Sequence, residues 1–178
     1  LQNIKSITKN KLIKPQDYVL KQKDYEFFTK ISHFDFSDTN IPGEGEIKIY
    51  DLINTLPKNE PIGFYSPDAD VILLSMISKN SNNITILKYE QKTHVLNLID
   101  VKLLKETIYN YCLDRITGSV LDSLQLNKLI RDLVFVFTMF GNDFLPRCEA
   151  IQTNNDFLFL IDMYLINLIN DGYFIQDN

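Results

Sequence analysis

Hydrophobic residues recur along this chain at two spacings, one typical of strands and one typical of helices. Short runs rich in apolar and β-branched residues predict strands at 61–65, 83–89 and 93–98. Only Glu90, Gln91 and Lys92 separate the second run from the third, so these two runs predict a hairpin.

Helical spacing predicts helices over 46–56, from Asp100 onward, over 126–140 and over about 155–171. A further helix is expected to start at Asp68 and Asp70. Asp100 is predicted to be an N-cap, and Gly141 and Gly172 to mark helix ends. The residues expected to face the core are Ile49, Leu52, Ile53 and Leu56; Leu103, Leu104, Ile108, Tyr111 and Cys112; Leu126, Leu129, Ile130, Leu133, Val134 and Phe137; and Phe157, Leu158, Ile161, Leu165 and Leu168. Strands alternating with helices predict an α/β fold.

Aromatic residues cluster in the last two predicted helices. Because they occur at helical spacing inside apolar runs, we interpret them as core residues, with a base-stacking platform as the alternative. They are Phe135, Phe137, Phe140, Phe157 and Phe159. Cys112 and Cys148 are too few for a disulfide framework and are interpreted as small core residues.

A length of 178 residues fits one domain with a core of its own. The chain starts with Leu, which suggests a piece of a larger catalytic region. We divide it into a basic lead-in (1–30), an acidic-motif α/β part (31–100) and a helical part (101–178). The net charge is -5, but residues 1–30 have a local balance of +4. Their lysines are interpreted as a solvated face, with contact to a phosphate backbone as the alternative.

The chain lacks the pattern of a signal peptide, and its longest apolar runs are far shorter than the roughly 20 residues that span a bilayer. We therefore expect a soluble intracellular protein, cytoplasmic or nuclear, without a membrane partner.

Five acidic residues lie in three short motifs, beside glycine, proline or apolar runs where an unpaired charge is costly. The motifs are Gly43-Glu44-Gly45-Glu46, Asp68-Ala69-Asp70 and Gly141-Asn142-Asp143-Phe144. One such pair alone is weak evidence for a site, because a helix cap or a solvated acid explains it. Three in this order point to a shared function.

With their flanking residues, these motifs resemble the Xrn-type 5′→3′ exoribonuclease family. The similar stretches are 37–49, 68–74, 131–135 and 141–146, with a looser likeness at 171–174. The resemblance covers roughly residues 31–178. It implies a 5′-nuclease fold of the PIN/FEN-like type, a mixed central sheet flanked by helices with a helical C-terminal part. It also implies stepwise hydrolysis of single-stranded RNA from a 5′-monophosphate end to mononucleotides.

The resemblance further implies that Glu44, Glu46, Asp68, Asp70 and Asp143 are catalytic metal ligands. Converging carboxylates repel one another unless cations neutralise them, and Mg²⁺ or Mn²⁺ prefers such oxygen ligands. Two ions about 4 Å apart are a known arrangement for phosphodiester hydrolysis. The motifs contain neither Cys nor His, which argues against zinc.

Three departures from the family pattern stand out. Ile47 replaces the expected His, Ser66-Pro67 replaces Gly-Leu, and Arg147-Cys148 replaces His-Leu. The family's site also uses an upstream segment, with carboxylates and a 5′-phosphate pocket, that residues 1–30 do not resemble. Without that segment we expect weak activity or none. Two alternatives stay open: a flap endonuclease acting on DNA, and an RNA-binding or scaffold domain without turnover.

Overall fold

The computed structural model describes residues 37–38, 40–90, 92–116, 123–142, 145–151 and 156–175. The chain divides into two compact units, Leu1–Gly45 and Glu46–Asn178. In the first unit, the Asp38 carboxylate accepts hydrogen bonds from the backbone and the side-chain amide of Asn40, both at 2.9 Å, which closes a tight turn. The predicted basic lead-in, 1–30, lies outside the described residues.

In the second unit, the described residues form a three-stranded mixed sheet of β1 (Ile62–Tyr65), β2 (Ile84–Glu90) and β3 (Val95–Asp100). β1 and β2 are parallel, and β2 pairs with β3 in an antiparallel hairpin. All three predicted strands and the hairpin are confirmed. The third strand begins and ends two residues later than predicted. A parallel pair joined through a helix, with an antiparallel strand at one edge, confirms the α/β class.

Five α-helices lie within the described residues. They are α1 (Gly45–Thr55), α2 (Asp70–Ile77), α3 (Val101–Leu113), α4 (Ser123–Phe137) and α5 (Asp156–Asp171). The predicted cap of α3 is confirmed, because the Asp100 carboxylate accepts a 3.0 Å hydrogen bond from the backbone N–H of Leu103. α4 continues through a 3₁₀ turn, Thr138–Phe140, to Gly141, and α5 ends at Gly172; both glycines have left-handed φ angles.

The core lies between the sheet and the helices, where α2 packs on α3 and α4, and α3 packs on β2. The inward face predicted for α4 is confirmed, with Leu129 and Leu133 fully buried. For α1 the predicted face is partly wrong: Ile53 is buried, but Ile49 and Leu52 are exposed and Tyr50 is buried instead. The Tyr50 ring stacks on Phe64 with 5.5 Å between ring centroids. The buried face of α1 therefore includes this aromatic residue and not only the aliphatic ones.

The other two predicted faces need similar corrections. On α3, Leu103 is exposed and Lys105 is buried, since the lysine reaches a hydroxyl on the neighbouring turn. On α5, Leu158 is exposed and Tyr164 is buried, because the tyrosine hydroxyl bonds to a buried carboxylate on α4. At both positions, a hydrogen-bond partner inside the protein determines which side chain is buried, and apolar periodicity does not.

The interpretation of the aromatic cluster as core holds for only part of it. Phe137 is buried and stacks on Phe157 at 4.3 Å between ring centroids, with Phe140 packed beside them. Phe135 and Phe159 are 59% exposed, so their assignment to the core is wrong. Cys112 is fully buried as expected, whereas Cys148 is half-buried; both are free thiols. No helix in the described part of the chain is long and apolar enough to cross a membrane.

Candidate functional site

The second acidic motif lies where β1 ends and α2 begins. The buried Ser66 extends the sheet, because its backbone N–H bonds to the carbonyl of Leu87 on β2. Its hydroxyl oxygen then accepts a 3.1 Å hydrogen bond from the backbone N–H of Asp68. Asp68 in turn accepts a 3.1 Å bond from the N–H of Asp70 through Oδ1. Each side chain thus caps the residue two positions later, which fixes the backbone that carries both carboxylates.

Asp68 and Asp70 are both half-buried at this junction. Asp70 is the first residue of α2, where the positive end of the helix dipole favours a negative charge. Oδ1 of Asp68 accepts the hydrogen bond of the cap, so Oδ2 of the same carboxylate can bind another group. Ser66, one of the departures from the family pattern, is therefore the residue that positions Asp68.

α1 and α2 run in parallel, tied together by hydrogen bonds along their length. Near their beginnings, the Tyr50 hydroxyl donates to the carbonyl of Val71 at 2.8 Å and meets the Ser75 hydroxyl at 2.6 Å. Near their ends, the side-chain carbonyl of Asn54 accepts from the Ser78 hydroxyl at 3.2 Å and from the N–H of Lys79. Both helices therefore begin at the same end of the pair.

This register puts Glu46 and the second motif in the N-terminal parts of the two helices. In these hydrogen bonds, each residue of α2 or of the turn after it lies 21 to 25 positions later in the sequence than its partner on α1. Counted from position 46, the same separations correspond to positions 67 to 71. Glu46 lies one turn before Tyr50, on the same side of α1. Its charge also acts on that tyrosine: burial raises the pKa of the Tyr50 hydroxyl, the hydrogen bond with Ser75 lowers it, and Glu46 raises it. The structure thus brings Glu46, Asp68 and Asp70 to one end of the parallel pair.

The other two predicted ligands, Glu44 and Asp143, are not part of the α1–α2 pair. Glu44 is exposed and belongs to the unit Leu1–Gly45, where it follows Gly43, whose φ of 101° is in the left-handed region. Asp143 lies outside the described residues. The nearest described residues, Asn142 and Leu145, bond to each other: Asn142 accepts from the N–H of Leu145 through its side chain and donates its own N–H to the carbonyl of Leu145.

Gly141, the first residue of the third motif, allows a close approach of the backbone. Its φ is 81°, and a Cβ at this position would lie 2.7 Å from the backbone nitrogen of Arg147. The N–H of Cys148 bonds to the carbonyl of Met139, which returns the chain to the end of α4. Only glycine satisfies both the backbone angle and the close approach, which explains the glycine of the third motif.

Asp132 is a buried acid for which the motifs predict no role. It is fully buried on α4, and its carboxylate accepts three hydrogen bonds: from the Tyr164 hydroxyl (2.8 Å), the N–H of Phe174 (2.8 Å) and the N–H of Ile175 (2.9 Å). Burial and the bond to this carboxylate raise the pKa of Tyr164 well above its usual range. Asp132 therefore anchors the segment after α5. The sequence does contain a signal for this residue, because Asp132 lies on one helix face between the apolar positions Leu129 and Val136.

The donor chemistry at the α1–α2 end fits a hard divalent cation, since all three side chains offer carboxylate oxygens. Within the described ranges, however, no group of three or more His, Cys, Asp or Glu residues is close enough to hold a metal ion. The five-carboxylate ligand set therefore stays a prediction.

Comparison with known proteins bears on the same motifs. The family model described as "XRN 5'-3' exonuclease N-terminus" matches residues 3–90, which include the first two acidic motifs. A protein of Acanthamoeba polyphaga mimivirus that is named as a 5′-3′ exonuclease is 36% identical over 135 residues, covering 71% of this chain and 21% of the relative.

Two cellular proteins named 5′-3′ exoribonuclease 1 are more distant relatives. The human protein is 26% identical over 163 residues, which cover 80% of this chain and 9% of that protein. The Schizosaccharomyces pombe protein is 28% identical over 147 residues, which cover 71% of this chain and 11% of that protein. This chain thus spans about a fifth or less of the relatives that it matches. From the family match and these relatives, the chain belongs to the Xrn-type 5′→3′ exonuclease family.

Proposed function

We propose that this protein is a metal-dependent 5′→3′ exoribonuclease that hydrolyses 5′-monophosphorylated single-stranded RNA to mononucleotides. Membership in the family and the names of the relatives support the reaction class. The structural observation that supports the proposal is the parallel α1–α2 pair, in which Glu46 and Asp70 each lie in the first turn of their helix.

In this proposal, Glu44, Glu46, Asp68, Asp70 and Asp143 hold two Mg²⁺ or Mn²⁺ ions. Such ions, when bound, supply the positive charge that activates a water molecule and stabilises the leaving oxygen of a phosphodiester. Residues of the chain itself position these carboxylates. The Ser66–Asp68–Asp70 caps fix the backbone that carries two of the carboxylates, and the Tyr50 contacts hold α1, which carries Glu46, against α2.

The finer fold assignment, a PIN/FEN-like 5′-nuclease domain, is part of the same proposal. It is supported by the mixed sheet and by the acids at the carboxyl end of β1, the sheet edge where α/β proteins bind their ligands. The exonuclease branch is favoured over a flap endonuclease by composition, because no glycine occurs in the sequence between Gly141 and Gly172. A glycine-rich hairpin that grips duplex DNA would need glycine in that stretch.

The test follows product length over time with the full-length protein and Mg²⁺ or Mn²⁺. Matched single-stranded RNAs carry either a 5′-monophosphate or a 5′-hydroxyl, and a DNA flap of similar length is the third substrate. The proposal predicts mononucleotides released in order from the 5′-monophosphorylated RNA and little product from the other two. Preferred cleavage of the flap would move the protein to the endonuclease branch, and a stable RNA complex without products would identify a binding domain.

A further inference from the structure

A cavity of about 430 Å³ lies at the end of α2 that is opposite the acidic motifs. The eight residues of α2 separate the two places by about 12 Å along the helix axis. The turn after α2, the first half of α3 and the middle of α4 line the cavity. None of the residues assigned to the nuclease site contributes to the lining.

The lining is strongly basic in a chain whose net charge is -5. Lys79, Lys102, Lys105 and Arg131 contribute four positive charges, and Glu106 is the acidic residue among the lining residues. Lys102 and Glu106 form an exposed ion pair at 3.8 Å, which is weak at that distance and exposure. Several lysines and an arginine around one concave space form the kind of environment that attracts an anion.

Lys105 is the most informative member of this lining. Its side chain is buried, with 7% of the residue exposed, and its ammonium donates a 2.9 Å hydrogen bond to the Ser81 hydroxyl. That hydroxyl is neutral, whereas an ammonium has three N–H donors and a charge that is costly to bury without a counter-ion. Burial accordingly lowers the pKa of Lys105. Ser81 is the acceptor of this ammonium in the part of the chain that the structure describes, and a bound anion would supply further acceptors and the opposite charge.

We propose that this cavity binds a phosphate group, carried either by a 5′-mononucleotide or by inorganic phosphate. A phosphate oxyanion would accept from the ammonium of Lys105, and Lys79 and Arg131 add positive charge to the same cavity. The volume is in the range of small-molecule sites and exceeds what phosphate alone fills, which favours the mononucleotide. Met76 and Ile130 add apolar wall against which a base or ribose packs. This inference does not depend on the proposed nuclease activity.

Charge substitutions of opposite sign give the sharpest test. Lys105→Met keeps the buried aliphatic stem but removes the ammonium, and it is expected to weaken phosphate binding by tenfold or more, an order of magnitude typical for a lost charged hydrogen bond. Lys79→Met, on the exposed rim, is expected to weaken binding by a smaller factor. Glu106→Gln removes the negative charge and frees Lys102, so it is expected to tighten binding. Lys92→Met, in the β2–β3 hairpin and outside the lining, is the matched control and is expected to bind like the wild type.

The measurement is isothermal titration calorimetry of inorganic phosphate and of adenosine 5′-monophosphate into each variant at constant ionic strength, with circular dichroism to verify folding. Tighter binding of the monophosphate identifies the nucleotide as the ligand, and equal affinities identify the phosphate group alone. Absence of saturable binding of both probes to the wild type would overturn the proposal. Unchanged affinity in Lys105→Met would also overturn it. If Lys105→Met fails to fold, a Lys79→Met and Glu106→Gln pair that shifts affinity in opposite directions supports the site, and a pair without effect refutes it.

Discussion

The hydroxyl of Tyr50 on α1 lies 2.6 Å from the hydroxyl of Ser75 on α2, and it donates a 2.8 Å hydrogen bond to the carbonyl of Val71. Both side chains are buried, so no solvent competes for these bonds. One tyrosine therefore holds the two helices in register one turn above their N-terminal ends. In that register Glu46 lies in the first turn of α1, and Asp70 lies in the first turn of α2.

Tyr50→Phe is expected to lower the free energy of unfolding by about 1–3 kcal/mol, because it removes this bond and leaves a buried polar group of Ser75 with one partner fewer. Urea denaturation followed by circular dichroism measures the change. Tyr65→Phe is the matched control, since Tyr65 is 66% exposed and should lose almost nothing. Equal stability of the two variants would show that the Tyr50 hydroxyl does not tie α1 to α2.

Asp132→Asn is expected to cost about 2–4 kcal/mol of stability, since an amide can no longer accept from all three groups that converge on this buried carboxylate. The segment after α5, which two of those bonds hold, should also exchange its amide hydrogens faster. Asp51→Asn, at an exposed position of α1, is the control for charge removal. A variant as stable and as protected as the wild type would contradict the anchoring role.

Gly141→Ala and Gly172→Ala separate backbone strain from steric clash. Both glycines have similar left-handed φ angles, so each substitution should cost about 1–2 kcal/mol from the backbone alone. Only at Gly141 does the added Cβ also meet the backbone of Arg147; nothing lies within 4 Å of it at Gly172. Thermal unfolding should therefore show the larger loss for Gly141→Ala, and equal losses would exclude the close approach.

The two cysteines should react differently with a thiol reagent at pH 8. Cys112 is fully buried, and burial raises its pKa from 9.0 to about 11, so little reactive thiolate forms. In the native protein, Ellman's reagent should modify Cys148 first and Cys112 only after denaturation. Cys148→Ser should abolish the fast reaction, whereas Cys112→Ser should keep it. Fast labelling of the Cys148→Ser variant would contradict the burial of Cys112.

The same raised pKa has a consequence at alkaline pH. Folding favours the protonated thiol of Cys112, so its contribution to stability is complete below the unfolded pKa near 9 and is lost as the pH rises toward 11. Cys112→Ala should remove this part of the pH dependence. Unfolding curves of both proteins across pH 8–11 measure the difference.

The order and type of the elements could be predicted from the sequence because strong local signals mark them. Asp100 caps α3 and Gly172 ends α5 as expected, and the hairpin between β2 and β3 follows from two β-rich runs with a short gap. At these features the local preference of the sequence agrees with the global fold.

Helix faces were harder to predict because polar partners far along the chain decide them. Lys105 is buried through Ser81, 24 residues earlier, and Tyr164 through Asp132, 32 residues earlier. Apolar periodicity contains no information about such pairs. The candidate site shows a similar contrast. Its acids are predicted from their motifs, whereas the contacts of Tyr50 with α2 and of Ser66 with Asp68 have no signal of their own in the sequence.

The most direct test of the account is the thermal unfolding of the protein with EDTA and with millimolar Mn²⁺. Metal binding at the convergent carboxylates should raise the melting temperature of the wild type, because it relieves their repulsion and binds only the folded state. The shift should be lost in Asp70→Ala, which itself should fold normally and lose nuclease activity, and it should be kept in Asp51→Ala. A wild type that Mn²⁺ leaves unchanged, or an equal shift in all three proteins, would contradict a metal site built on Asp70.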